Sequence, residues 1–326
     1  MVDFTAIEQA ATRLAGVARK TPLLSSEALN AIAGRPVYIK AECDQHTGSF
    51  KLRGAWNAVH ALAQDKDCPG VIAYSSGNHA QGVAFAAQRH DLPAVIIMPS
   101  DAPALKTRNT RALGAEVVLY DRAREDRDAI GAKIAQERGL RLIKPFDDPL
   151  VIAGQGTVGI EIADDMSRLG LTSVDVFVPC GGGGLTSGIA VALKTRLPEA
   201  TISPVEPDGF DDVRRSLIAG TPVANAQKSG SICDAILTQS PGEITFPILK
   251  QHCNAGISVT DEDCLHAIAL AHHHLGLKIE PGGAVALAAA LFHPHMSAHD
   301  VVIAVASGGN IDPSLFETTL TSYGSP

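Results

Sequence analysis

The chain lacks the features that would place it on a nucleic acid or in a membrane. Its 27 basic and 35 acidic residues give a net charge of −8, and no basic run offers a footprint for nucleic acid. No uninterrupted apolar run reaches the length that spans a bilayer. The N-terminal residues 1–8 are acidic and amphipathic, unlike a signal peptide. These absences predict a soluble, cytoplasmic protein with no membrane or nucleic-acid partner.

Paired cysteine motifs, internal repeats and low-complexity linkers are also missing. The six cysteines are scattered and form no C-x-x-C pair, so in a chain without an export signal they are expected to be free thiols. Hydrophobic residues make up 45% of the 326 residues, which is ample for a large core. This length suggests about two domains.

Strand and helix patterns alternate along most of the chain, which predicts parallel sheets with helices on both faces and therefore an α/β fold. The predicted strands lie near 37–42, 70–74, 94–98, 115–120, 174–179, 201–205, 256–259 and 301–306. The predicted helices lie near 4–18, 52–63, 78–90, 104–113, 124–138, 149–168, 186–196, 242–253, 261–275, 281–292 and 313–320. Residues 260–263 have the pattern of a capping box.

Lys51 stands where an extended segment gives way to a helical pattern. The positive end of the helix dipole disfavours an ammonium in a first turn, so the pKa of this lysine is expected to be lowered. A neutral amine is a nucleophile that can bond covalently to a carbonyl. The simpler alternative is a lysine that faces solvent in a loop.

Four consecutive glycines, Gly181, Gly182, Gly183 and Gly184, separate an apolar strand from a helix expected to begin near Thr186. They let successive backbone N–H groups turn toward one point, and the helix N-terminus adds its dipole. The site therefore suits a phosphate. A dinucleotide loop is the alternative, but the spacing is not G-x-G-x-x-G and no Walker lysine follows.

A second polar loop runs from Ser75 to Asn78 between a strand and a helix. Its hydroxyls and N–H groups at a helix start fit a substrate carboxylate. The alternative is that Ser76 or Asn78 is a plain helix N-cap, and one loop can do both.

Together these motifs resemble the fold-type II pyridoxal-phosphate enzymes, and most of all the serine/threonine dehydratase and serine racemase branch. The resemblance covers nearly the whole chain, and its landmarks follow in family order at 49–51, 75–79, 181–184, 205–207, 280–283 and 307–310. It implies a two-domain α/β fold like that of the tryptophan synthase β-subunit. A large domain would contain residues 1–51 and 147–326, and a small mobile domain would contain residues 52–146. The cofactor would lie in the cleft between them. It also implies a homodimer.

The resemblance assigns roles by position. Lys51 would bond the cofactor aldehyde and then remove the α-proton, and Ser76 would face the opposite side of the α-carbon. The residues it implies for cofactor binding are Phe50, Lys51, Asn78, Gly181, Gly182, Gly183, Gly184, Leu185 and Ser307. Those it implies for substrate binding are Ser75, Ser76, Gly77, Asn78 and His79. Ser307 would bond the pyridine nitrogen, although it could instead cap a glycine turn; a neutral partner there favours β-elimination over transamination.

A metal site follows from the same resemblance. Glu206, the carbonyl of Phe210 and Asp212 match its spacing for Mg²⁺ or Ca²⁺, which prefer oxygen ligands. Alternatively, the acids at 211 and 212 simply start a helix over 213–219. The run of histidines at 272–274 is not expected to bind one ion, because adjacent helical residues point about 100° apart.

Some positions depart from the family pattern. Ala235 stands where many relatives place glycine behind the cofactor ring, and Cys233 beside it is unusual. Glu280 is expected near the reactive end of the cofactor, with an open role. The chain ends at 326 without the regulatory extension of biosynthetic threonine deaminases, so a catabolic role is expected.

The predicted activity is a pyridoxal-phosphate-dependent ammonia-lyase that eliminates water from a β-hydroxy amino acid of the serine or threonine type, giving a 2-oxo acid and ammonia. The alternatives on the same scaffold are a serine or aspartate racemase and a 3-hydroxyaspartate dehydratase. A non-catalytic phosphate-binding module is the alternative from another class, but it leaves Lys51, Asn78 and Ser307 unexplained.

Overall fold

A computed structural model describes residues 2–75, 77–102, 104–121 and 123–324. The strands are β1 (Leu23–Leu24), β2 (Val37–Lys40), β3 (Val71–Tyr74), β4 (Ala94–Pro99), β5 (Glu116–Tyr120), β6 (Arg141–Leu142), β7 (Asp175–Pro179), β8 (Thr201–Pro207), β9 (Ile257–Val259) and β10 (Val302–Val305). The α-helices are α1 (Phe4–Leu14), α2 (Glu27–Ala33), α3 (Lys51–Ala63), α4 (Asn78–Arg89), α5 (Ala104–Ala112), α6 (Arg127–Arg138), α7 (Pro149–Leu169), α8 (Gly184–Arg196), α9 (Asp212–Ala219), α10 (Thr245–His252), α11 (Asp261–Leu275), α12 (Pro281–Phe292) and α13 (Pro313–Tyr323).

The described strands form two sheets. The larger has the order β1-β2-β10-β7-β8-β9 and the smaller the order β5-β4-β3-β6. All pairings are parallel except that of β1 with β2. Strands β4, β7 and β10 are buried along their whole length, as expected for parallel sheets covered on both faces. The predicted α/β fold with parallel-rich sheets is confirmed.

Local signals in the sequence explain where the longest helices begin and end. Asp148 accepts hydrogen bonds from the backbone N–H groups of Leu150 and Val151 at the start of α7, and Gly170 ends that helix with a positive φ. Thr260 and Asp263 form the predicted capping box of α11. Among the described helices, none is both long and apolar enough to cross a membrane.

Among the described strands and α-helices, β1, β6 and α2 were not predicted from the sequence patterns, and neither were the short 3-10 helices Glu42–Asp44, Asp234–Ile236 and Pro294–Met296. The two strands contain two residues each and exist through their pairing with β2 and β3. Helix α2 spans only seven residues and its N-cap, Ser26, makes no side-chain capping bond. Helix α8 begins at Gly184 rather than near Thr186, so the last glycine of the run is already helical.

Most candidate residues, with the exception of Glu280, lie at or beyond the carboxyl end of a parallel strand. The Lys51 segment follows β2, the Ser75 loop follows β3, and the four glycines follow β7. Glu206 lies at the end of β8, and Ser307 follows β10. In open α/β sheets ligands bind in the crevice at that edge. All four strands of the smaller sheet fall within the predicted small domain, 52–146, although the domain boundaries themselves stay a prediction.

Candidate active site

Lys51 is the first residue of α3, and its amine is turned into the protein. Nζ donates a hydrogen bond to the carbonyl oxygen of Pro145 at 2.7 Å and lies 5.2 Å from the ring centroid of Phe50. Burial lowers the pKa of Lys51 to about 8, although the nearby Glu280 carboxylate acts in the opposite direction. The lowered pKa agrees with the sequence prediction, but its main cause is burial and not the helix dipole. The solvent-facing alternative for Lys51 is wrong.

The Lys51 segment is fastened to the segment that follows β10. The backbone N–H of Phe50 donates to the carbonyl of Ser307 at 3.1 Å, and the N–H of Gly309 donates to the carbonyl of Gly48 at 2.8 Å. Ser307 is buried, and its hydroxyl makes no hydrogen bond with the described residues, so it is available to a ligand. The fold thus brings Lys51 and Ser307 together from distant parts of the chain.

The glycine loop is shaped for close approach of a ligand. Gly183 has φ = 94°, a left-handed conformation, and is the N-cap of α8. The carbonyl of Gly182 accepts from Thr245 Oγ1 at 2.6 Å and from the Gly242 N–H at 3.2 Å. The N–H groups of Gly182, Gly183 and Gly184 donate to no described residue, so they remain free for an anion at the helix N-terminus. Leu185, which follows, is buried in the core.

Pro145 and Phe146 connect the lysine with the glycine loop. Pro145 accepts the hydrogen bond of Lys51, and a Cβ at Gly182 would lie 2.2 Å from the ring of Phe146. Only glycine fits against that ring without a shift. Of these two adjacent residues, Pro145 therefore contacts Lys51 and Phe146 contacts the predicted phosphate site. Sequence reasoning missed them, because an isolated Pro-Phe pair has no distinctive pattern.

The substrate loop is fixed by side-chain amides. Asn78 Nδ2 donates to Glu280 Oε1 at 2.5 Å, and Asn78 Oδ1 accepts from Asn310 Nδ2 at 2.6 Å. The N–H of Gly77 donates to Ser75 Oγ at 3.1 Å. Gly77, and not Asn78, is the N-cap of α4, so the alternative that Asn78 is a plain cap is wrong. Ser76 lies outside the described residues.

His79 is held in the interior beside this loop. Its Nε2 lies 2.9 Å from the carbonyl oxygen of Ile143, which can only accept, so Nε2 carries the proton. Burial, followed by the positive charge of Lys51, lowers the pKa of His79 to about 3. The imidazole is therefore neutral near pH 7. Its predicted contact with substrate remains a prediction.

Glu280 has the environment of a proton-carrying group. It is the buried N-cap residue of α12, and its backbone N–H donates to the carbonyl of Gly308 at 2.9 Å. Burial raises the pKa of Glu280 to about 7, while the hydrogen bond from Asn78 and the charge of Lys51 lower it. A carboxyl that titrates near neutrality beside a lysine is typical of active sites. The structure thus gives Glu280, whose role the sequence left open, a defined position.

A network of buried charges behind Lys51 was also missed. We call it the paired cluster; it consists of Lys40, Glu42, Arg53 and Glu161. Arg53 bonds Glu42 at 2.7 and 2.8 Å and Glu161 at 2.7 Å, and Lys40 bonds Glu161 at 2.6 Å. Charged residues at the end of an apolar strand and inside the long helix α7 were the signals that could have revealed it. The cluster fixes α3 two residues beyond Lys51.

The predicted metal ligands Glu206 and Asp212, here called the acid pair, are both buried. Glu206 accepts from the N–H groups of Val213 at 2.9 Å and Arg214 at 2.7 Å, as in the alternative of a helix start. Asp212 Oδ2, by contrast, is buried without a partner among the described residues. Burial, followed by their mutual repulsion, raises the pKa of Glu206 well above its ordinary value, and burial raises that of Asp212 to about 7. The described residues contain no metal-type cluster of three or more His, Cys, Asp or Glu side chains.

Residues 14–308 match the family model described as pyridoxal-phosphate dependent enzyme. L-threo-3-hydroxyaspartate ammonia-lyase of Saccharomyces cerevisiae is 39% identical over 96% of this chain and 94% of that protein. Serine racemase of Oryza sativa is 36% identical over 95% of this chain and 91% of that protein. The crystal structure of a threonine deaminase from T.th. superposes with a TM-score of 0.89 at 41% identity, covering 95% of this chain and 99% of that one.

Proposed function

The chain belongs to the family of pyridoxal-phosphate dependent enzymes, and on that premise we propose that it is an ammonia-lyase for β-hydroxy amino acids. The reaction eliminates water from the substrate, and hydrolysis of the released enamine, which takes up one water, yields a 2-oxo acid and ammonia. The observation that carries this proposal is the position of Lys51. Its amine has a pKa of about 8 and donates a hydrogen bond to Pro145, and the adjacent Phe146 packs against Gly182 of the glycine loop. A partly buried amine and free N–H groups at one site suit an aldehyde and a phosphate on one ligand.

The residues present fit pyridoxal phosphate. Lys51 would hold its aldehyde carbon, the glycines 181–184 and Leu185 its phosphate, and Phe50 one ring face. Asn78 would donate to its 3-oxygen and the hydroxyl of Ser307 to its ring nitrogen. When bound, the cofactor supplies an electron sink that acidifies the α-carbon of an amino acid.

Side chains of the protein accept and donate the protons that the reaction transfers. The amine of Lys51, neutral in a large fraction of molecules near pH 8, accepts the α-proton of the substrate. The β-hydroxyl must leave as water and therefore needs a proton from a group on the protein or the ligand. Glu280, with a pKa of about 7, keeps a proton in part of the molecules at neutral pH and stands beside Lys51 and Asn78. The N–H groups at the start of α4 would bind the α-carboxylate.

Substitution of Lys51 by alanine tests this function. We expect Lys51→Ala to lose the visible absorption of the lysine–cofactor imine and all release of 2-oxo acid from serine, threonine and threo-3-hydroxyaspartate. Lys133→Ala is the matched control, because Lys133 is a lysine on α6 whose side chain is 73% exposed. Retained turnover in Lys51→Ala would contradict the assignment.

Racemisation is the second candidate, because serine racemases stand among the relatives. Chiral analysis of recovered substrate, set against the yield of 2-oxo acid, separates the two activities. The substrate also has two candidates, serine or threonine and the acidic 3-hydroxyaspartate, for which the yeast lyase is named.

Finer features of the proposal concern metal, assembly and location. Asp212 Oδ2, buried beside Glu206 and without a partner among the described residues, supports a Mg²⁺ or Ca²⁺ site with the carbonyl of Phe210 as a third ligand. All six cysteines are free thiols, which supports a cytoplasmic location. The resemblance further predicts a homodimer, which measurement of the molar mass in solution tests.

A further inference from the structure

One lysine at the substrate loop has no part in the chemistry described above. Lys106 lies on α5, and its Nζ is 3.9 Å from the point where a Cβ on Gly77 would stand. The same nitrogen lies 3.7 Å from Asp234 Oδ2, on the segment that follows Cys233. Lys106 therefore extends from the smaller sheet toward the larger one, alongside the loop expected to bind substrate.

The charge of Lys106 acts on the same cleft as that of Lys51. Burial raises the pKa of Glu280, and both Lys106 and Lys51 lower it, so both ammonium groups lie within electrostatic range of one carboxyl. Asp312 is also affected, since its pKa is lowered mainly by Ser314 and to a smaller extent by Lys106. The acidic groups that face Lys106 are thus Asp234, Glu280 and Asp312.

None of these acids fully neutralises the ammonium of Lys106. Asp234 is 3.7 Å away with a side chain that is 68% exposed, so this ion pair is weak. An ammonium is a compact charge that is strongly hydrated in water. A carboxylate brought to it inside a cleft gains a charge-assisted hydrogen bond and can displace the exposed Asp234.

We propose that Lys106 determines substrate specificity by binding a second carboxylate, on the β-carbon of the substrate, so that the enzyme prefers acidic β-hydroxy amino acids such as 3-hydroxyaspartate. This inference rests on the proposed lyase function. The α-carboxylate, which all amino acids share, already has the N–H groups at the start of α4. A cation beside that loop adds nothing that serine or threonine requires, whereas a dicarboxylic substrate needs one.

The test compares substrates in the cofactor-loaded enzyme. Lys106→Met is expected to lower kcat/KM for threo-3-hydroxyaspartate by about 10–100-fold, the usual effect of losing a hydrogen bond between charged groups. The same value for serine should change by less than about threefold, within the range of a surface substitution. Lys106→Arg should retain most of the activity on the acidic substrate, and Lys133→Met should change neither activity.

A second measurement does not depend on turnover. Succinate should raise the Tm of the wild-type protein more than butyrate, which has one carboxylate, and Lys106→Met should abolish this difference. Equal losses on both substrates would overturn the inference, because Lys106 would then serve the shared α-carboxylate or the fold. Unchanged activity of Lys106→Met on hydroxyaspartate would also overturn it. If the wild type deaminates none of the substrates, the proposed function fails, and the succinate difference alone supports or overturns the role of Lys106.

Discussion

The paired cluster and the acid pair are both groups of buried charges, but only the first is neutralised by the residues that the structure describes. In the paired cluster, Arg53 and Lys40 are bonded to carboxylates at 2.6–2.8 Å. In the acid pair, Glu206 and Asp212 face each other without a bonded cation among the described residues, and one oxygen of Asp212 has no partner there. The same physical cost, removal of charge from water, is thus met in two ways.

The pKa values record this difference. Burial alone would raise the pKa of Glu42, but Arg53 and Lys40 outweigh it and hold that pKa below its ordinary 4.5. Burial raises the pKa of Glu206 and Asp212, and no cation in the described part of the chain reverses the shift. The charges of the paired cluster are therefore compensated by protein groups, whereas the shifts of the acid pair are not reversed by any described residue.

The largest expected effect comes from breaking the paired cluster. Arg53→Met leaves Glu42 buried without its main partner and should lower the free energy of unfolding by about 3–5 kcal/mol. Urea denaturation at pH 7 measures it. Because the folded pKa of Glu42 lies below 4.5, its contribution is complete above that pH and is lost as pH falls through the folded pKa.

A half-exposed ion pair supplies the control. Arg138 bonds Glu116 with side chains that are 48% and 50% exposed, so Arg138→Met should lower the free energy of unfolding far less than Arg53→Met does. Equal losses for the two arginine variants would show that burial does not distinguish them.

The acid pair should respond to cations, with an intermediate effect. Mg²⁺ or Ca²⁺ at about one hundred times its Kd should stabilise the wild-type protein by about 2–3 kcal/mol, seen as a rise in Tm that a chelator reverses. Asp212→Asn should remove this rise. Asp211→Asn should keep it, because Asp211 bonds Arg214 and Arg215 instead. An unchanged Tm of the wild-type protein in the presence of either ion would contradict the metal site.

Lys51 extends the comparison to a partly buried amine whose hydrogen-bond partner is a backbone carbonyl and not a carboxylate. Its pKa of about 8 predicts that the rate of imine formation with added pyridoxal phosphate, in protein freed of cofactor, rises about tenfold from pH 7 to 9 and then levels. An ordinary lysine would give a rate that still rises steeply above pH 9. Stopped-flow absorbance distinguishes the two, and continued rise would contradict the lowered pKa.

The sequence patterns predicted the elements that depend on neighbours in the chain. The apolar strand before the glycines and the capping box at Thr260 were visible because periodicity and capping are local. The short elements β1, β6 and α2 were missed, since pairing with other strands or packing makes them. Lys51, the glycine loop and Ser307 were each predicted, but their common neighbours Pro145 and Phe146 were not.

Sequence alone determined the fold class, the family and the identity of the lysine, glycine and serine motifs, because these depend on the order of residues along the chain. Tertiary structure alone decided which groups lose contact with water and which charges stand beside them. Glu280 and Lys106 come within electrostatic range of each other only where α12, α5 and the Ser75 loop meet. Desolvation and Coulomb energy depend on distance in space, and residues separated by hundreds of positions set them.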